Sequence, residues 1–224
     1  MNGTISARTL TLALAAALVT VPAHGQEGAS AGRSPALTHV HHVAVSFRGT
    51  PEQQGLLATA VAEAAIAHQH AALAMRDPTD LDAVQRHTRH VLNALDPGVE
   101  ENGPGLGYGA VRAADRTAHY IELAPRSVGS TSAIETHSVH IATAARQAAQ
   151  NGQAAVEVAG EILEAEDAAS AEAMLSELVA LTEAMVNGVD ADGDGRIGWQ
   201  EGEGGLAQAA RHLDLLRQAE GIGG

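Results

Sequence analysis

Residues 50–75 read TPEQQGLLATAVAEAAIAHQHAALAM. Thr50, Pro51 and Glu52 stand in the order of an N-cap, a first-turn proline and a first-turn acid. Leu57, Val61, Ala64, His68, Ala71 and Met75 then recur at the period that stacks side chains on one helix face. Alanine, the best helix former, fills the positions between them. The stretch predicts a helix over residues 51–75, stopped by Asp77-Pro78.

The same period continues downstream. A second helix starts at Thr79 or Asp80, carries Leu81, Val84, Thr88, Val91 and Leu95 on one face, and ends at Asp96-Pro97-Gly98. Residues 98–109, GVEENGPGLGYG, have glycines at 103, 105, 107 and 109 that alternate instead of following G-x-G-x-x-G. No strand precedes them, so they read as a connector and not as a dinucleotide loop. Further helices are expected over residues 110–123, 132–150 (with Asn151-Gly152 as a stop), 153–166 and 168–189. The acids between Glu157 and Glu172 read as a solvated helix face. The strand signal is confined to the β-branched alternation of residues 38–47. The fold class is therefore all-α: a bundle of five or six helices with a C-terminal helix–loop–helix.

Composition narrows the function. The chain has 224 residues, Asp+Glu 27 against Lys+Arg 13, and a formal charge of −14. All the basic residues are arginine, and aromatics make up 2%. Nucleic acid and anionic membranes need clustered basic residues, and single-stranded nucleic acid needs stacking platforms, so neither is expected as a partner. Cysteine is absent, which excludes disulfides, thiolate catalysis, Cys-ligated zinc and iron–sulfur clusters. A bound metal must be held by His, carboxylates, carbonyls or Met.

Residues 1–25 carry Arg8, an apolar run of about a dozen residues and Ala23-His24-Gly25, the order of a secretory signal. The run falls short of the ~20 residues a spanning helix needs, so no membrane span is expected. The mature chain is expected in a bacterial periplasm or outside the cell. Residues 26–49 are expected to form a flexible leader, extended or irregular over 38–47. The remainder divides into a His-containing helical domain, 50–167, and the helix–loop–helix, 168–220.

The strongest chemical signal is residues 190–201, DADGDGRIGWQE. Asp190, Asp192 and Asp194 take positions 1, 3 and 5 of a twelve-residue calcium loop. Gly195 allows the reversal at position 6, Arg196 lends its backbone carbonyl at position 7, and Gly198 at position 9 implies a bridging water. Glu201 is spaced to close the shell at position 12, and Ile197 to point inward. Met174, Leu175, Leu178, Leu181, Met185 and Val186 precede the loop at helical spacing, and Leu206, Leu213 and Leu216 follow it. On these residues, 171–219 resemble the EF-hand family. The resemblance implies calcium (Ca2+) held by Asp190, Asp192, Asp194, Arg196 and Glu201. Gly202, Gly204 and Gly205 depart from the family pattern and predict a late start to the exit helix. EF-hands generally work in pairs and no second loop is present, which argues against a calmodulin-like sensor. The unpaired hand would lean on the helical region, on a second copy, or on a protein partner.

The second signal is histidine. His87 with His90, and His137 with His140, are spaced i,i+3 and share a helix face, so each pair can offer two imidazoles to one ion. If their helices are adjacent, four nitrogens converge in a set suited to zinc (Zn2+) or copper (Cu2+). Arg86 and Arg89 oppose a cation there. Facing histidines can also hold haem, although nothing marks a haem pocket. His39, His41 and His42 form a further cluster, His68 reads as a hydrogen-bonded core residue, and His70, His119 and His212 stand isolated. No nucleophile elbow, His-Glu-x-x-His or di-iron pattern is present, and the chain is not expected to be an enzyme. Two functions stand: an exported calcium-binding protein with a structural or weakly sensing hand, and a periplasmic His-rich bundle that binds or buffers zinc, copper or haem.

Overall fold

The computed structural model describes residue 1 and residues 33–223, so the expected signal, residues 1–25, falls almost wholly outside the described residues. The described residues form seven α-helices and no β-strand: α1 Pro35–Ala44, α2 Leu56–Ala74, α3 Leu81–Leu95, α4 Ala110–Leu123, α5 Ser132–Glu164, α6 Ala168–Asn187 and α7 Leu206–Glu220. The all-α class holds.

Part of the expected leader is helix α1. Ser34 caps it by accepting a hydrogen bond from the Leu37 N–H at 3.2 Å, and Pro35 takes the first turn. The β-branched alternation of residues 38–47 conceals a second period: Ala36, Val40 and Val43, at i, i+4 and i+7, are fully buried. After α1 the chain turns back through an isolated bridge between Ser46 and Gln54. The Thr50 hydroxyl lies 2.7 Å from the Phe47 carbonyl and 2.6 Å from that of Gln54. Glu52 and Gln53 have φ of 51° and 56°, so the helix expected from residue 51 starts only at Leu56. A Cβ on Gly55 would sit 2.6 Å from the Val43 carbonyl, which lets the end of α1 rest on the start of α2.

The core is alanine-rich. Ala60, Ala64, Ala67, Ala71 and Ala74 of α2 share one buried cluster with Ala113 and Ala114 of α4, against which α2 packs, and with a long alanine row on α5, which packs on α4 in turn. Small side chains let helix axes approach closely, and buried Leu, Ile and Val fill the rest of the core. Val61, expected on the inner face of α2, is 37% exposed; Glu63 is buried instead.

The largest departure is α5. Asn151-Gly152 does not stop it, and the two helices expected over 132–166 form one of 33 residues. Gly152 lies where α4 and α6 close on α5: a Cβ there would meet Met185 Sδ and Val111 Cγ2 at 2.9 Å. The glycine serves close packing and not chain reversal, and α5 packs against α3, α4, α6 and α7. Helix α7 packs on α5 and α2, so residues 168–220 share the single compact unit Arg33–Gly224 with the His-containing helices. No described helix is long and apolar enough to cross a membrane.

Candidate metal centres

Helices α2 and α3 form a hairpin whose facing edges carry three histidines. On α3, Thr88 is buried and its hydroxyl donates to the Val84 carbonyl at 2.9 Å, which fixes the inward face. His87 and His90 flank that face and meet His70 of α2. The Nδ1 of His70 lies 3.1 Å from that of His87 and 3.3 Å from that of His90. One ligand nitrogen from each of the three falls within a common 4.8 Å, and all three side chains are half-buried.

A second group repeats the arrangement on other helices. His137 and His140 lie one turn apart on α5, and His212 of α7 completes the set. The Nδ1 of His212 is 3.2 Å from that of His137 and 3.2 Å from that of His140. The two expected pairs therefore do not converge on each other. Each is completed by a histidine that the spacing left isolated, His70 or His212, because the partner comes from the helix packed alongside. Neither has another histidine three or four residues away on its own helix, so helical spacing does not mark it.

Nitrogens this close suit a shared ion. At zinc–nitrogen distances of about 2.0–2.1 Å, tetrahedral geometry puts neighbouring nitrogens about 3.3–3.4 Å apart. In each group the two edges that cross between helices, 3.1–3.3 Å, lie close to that figure, and the third falls within 4.8 Å. Three positive imidazolium rings could not share the space. Burial, then the charges of His90 and His87, hold His70 below its ordinary pKa. Burial, then Arg86 and His90, do the same to His87, and burial, then His137, to His140. His212 is lowered furthest, to about 4, by burial and by the charges of His140, His137 and Arg211. The shifts favour the neutral ring, the form that ligates metal.

The acidic loop also comes together in part. Asp190, Asp192 and Asp194 present oxygens within 4.8 Å of one another, all exposed. Asp190 accepts from the N–H groups of Gly193 and Gly195, each at 2.9 Å. Asp192 accepts from Asp194 N–H at 3.0 Å, and Asp194 from Arg196 N–H at 2.8 Å. Gly193 and Gly195 take φ of 74° and 84°, which only glycine adopts cheaply. Glu201, expected to close the shell, stands outside this group and lines a cleft on α5 with Thr143, Arg146, Gln147 and Gln150. The exit helix starts at Leu206, as the glycines foretold. Those glycines let the loop dock: Gly202 N–H donates to Gln147 Oε1 at 3.0 Å, and a Cβ on Gly204 would meet Ala144 Cα at 2.8 Å.

Trp199 joins the loop to the second histidine group. Its ring stacks on His140 with centroids 4.0 Å apart and planes at 26°. His68, by contrast, lies 3.2 Å from Thr182 Oγ1, the hydrogen-bonded position expected of it. The glycine connector, residues 98–109, joins α3 to α4. It is held by the fully buried Glu63, which accepts from the N–H groups of Leu106, Tyr108 and Gly109 at 2.8–3.0 Å. Comparison of the chain with protein-family models, curated proteins and solved structures finds no match.

Proposed function

We propose that this chain is an exported transition-metal-binding protein, holding one zinc or copper ion in each of two three-histidine sites: His70, His87 and His90, and His137, His140 and His212. The observation that carries the reading is the closing of both triads by Nδ1–Nδ1 separations of 3.1–3.3 Å, each across two helices. Imidazole nitrogens select zinc and copper over calcium and magnesium. Neither group includes a carboxylate that would serve as a base, and both are half-buried, which suits holding and releasing an ion better than turnover. A net charge of −14 draws cations to the surface.

Titration of tag-free, chelator-treated protein with zinc tests this. Binding of about two equivalents at these two sites is expected, falling to about one at them in His70→Ala or His212→Ala and to none at them in the double variant. Loss of one partner should not unfold the chain, since these side chains lie at the edge of the core. A zinc isotherm unchanged in both single variants would sink the proposal, and the short nitrogen contacts would then be histidine–histidine hydrogen bonds.

A second reading concerns the same molecule. The converging carboxylates of Asp190, Asp192 and Asp194 support a calcium loop of the EF-hand kind, to which Arg196 would lend its carbonyl. Glu201 would have to leave its cleft on α5 to complete it. Calcium there would steady the docked loop, a structural or weakly sensing role.

A further inference from the structure

Helix α1 carries a third pair of histidines one turn apart. His39 and His42 flank Val40 and precede Val43, both fully buried, and α1 packs against α4. Their rings stand 6.3 Å apart at 79°. The corresponding figures are 5.8 Å and 83° for His87–His90, and 6.1 Å and 82° for His137–His140. One helical turn thus gives the same edge-on pair three times. In the first two cases the packed helix adds a third histidine. Helix α4, packed on α1, also carries one, His119, whose charge acts on His39.

One nitrogen of each ring lacks a partner. Nδ1 of His39 and Nδ1 of His42 are both buried and accept or donate no hydrogen bond. A buried polar atom left unpaired costs about 1–3 kcal/mol, so native proteins rarely leave two on one helix turn without water or an ion to satisfy them. Aromatic packing positions these rings but gives Nδ1 no hydrogen-bond partner. His42 sits edge-on to Phe47 at 5.5 Å and to Tyr120 at 5.1 Å.

We propose that His39, His42 and His119 form a third transition-ion site of the same class as the two triads. It differs in state: His119 is exposed and its ligand nitrogens do not yet share a 4.8 Å sphere with the α1 pair. The site closes when the His119 side chain swings towards α1, a rotamer change that is cheap for an exposed residue. Arg33 places positive charge near His42 and opposes the ion. Because His119 must first move into place, this site fills last.

The site extends the two-triad reading and is tested apart from it. Zinc is titrated into the full chain carrying both His70→Ala and His212→Ala, with histidine nitrogen NMR as a second readout. About one equivalent should remain, with the resonances of His39 and His42 shifting on zinc addition. That equivalent should vanish on adding His42→Phe, which keeps the ring packing against Phe47 and Tyr120 and removes the nitrogens. His119→Ala, at an exposed position, should weaken it without lowering the melting temperature. A double variant that binds no zinc overturns the third site and leaves the two triads standing. A wild-type chain whose only equivalent disappears with His42→Phe overturns the triads and leaves this site. Residual binding untouched by His42→Phe and His119→Ala also overturns it.

Discussion

His212 shows how a single residue ties metal binding to stability. In the unfolded chain its imidazole takes a proton near pH 6.5; in the fold it does so only at about 4. The unfolded state therefore binds more protons between these values, and stability must fall as pH drops from 6.5 towards 4, then level off. In chelator-treated protein the melting temperature should decline through this window, and His212→Asn should flatten the decline. An identical pH profile for parent and variant would refute the assignment. Zinc competes with the proton for the same nitrogens, so acid should release the ion over the same range. The residues that make the site were half legible in the sequence. His87 with His90 and His137 with His140 announce themselves by spacing, because one helix turn places both members of a pair. His70 and His212 do not, because their partners are set by which helices pack together, and no periodicity within one helix records that.

At the scale of elements, the sequence reads helices well where caps and breakers agree. Asp80 caps α3 by accepting from Ala83 N–H at 3.0 Å, and α4 occupies residues 110–123 as its pattern predicts. It reads badly where glycine serves packing instead of turning. Gly152 looked like a stop and is a contact surface for Met185 and Val111; Gly103 and Gly105 lie against Asn93, where a Cβ would come within 2.6 Å and 2.8 Å of its Oδ1. The connector between α3 and α4 is held by Asn93, bonded to Glu100 O and Gly105 N–H, and by one buried carboxylate whose importance was hidden in the middle of an alanine-rich helix. Glu63 gathers three backbone N–H groups, including Gly109 at the N-terminus of α4, where a negative charge also favours the helix dipole. Glu63→Gln replaces one acceptor oxygen with a donor that faces N–H groups. It should cost about 2–4 kcal/mol, read as a lower urea midpoint at unchanged slope. A loss below about 1 kcal/mol would mean that the connector holds its shape without the carboxylate.

Across the whole molecule, the two kinds of metal chemistry meet at one place. The acidic loop, Trp199, His140 and α7 form a continuous set of contacts: Trp199 lies 4.0 Å from the His140 ring, and His140 Nδ1 lies 3.2 Å from that of His212. The triad on α2 and α3 uses none of these residues and serves as an internal control. Calcium drawn to Asp190, Asp192 and Asp194 would steady the loop and with it the stack on His140, so a ring already aligned for zinc loses less freedom on binding. Linkage then requires that calcium strengthen zinc binding at the second triad by the same factor as zinc strengthens calcium binding. We expect a factor of about five, the low end of measured couplings, since the contact is a single ring. Trp199 is the only tryptophan, so its emission should change with either ion. Asp190→Ala should abolish the calcium response and spare the zinc response, and His212→Ala should do the reverse. Trp199→Leu should leave both sites able to bind but erase the mutual dependence. Zinc isotherms of the second triad that superimpose with and without millimolar calcium would show that the loop and the histidines act independently. Calcium-insensitive emission in the unmodified chain would remove the calcium loop from the account while leaving the histidine sites intact.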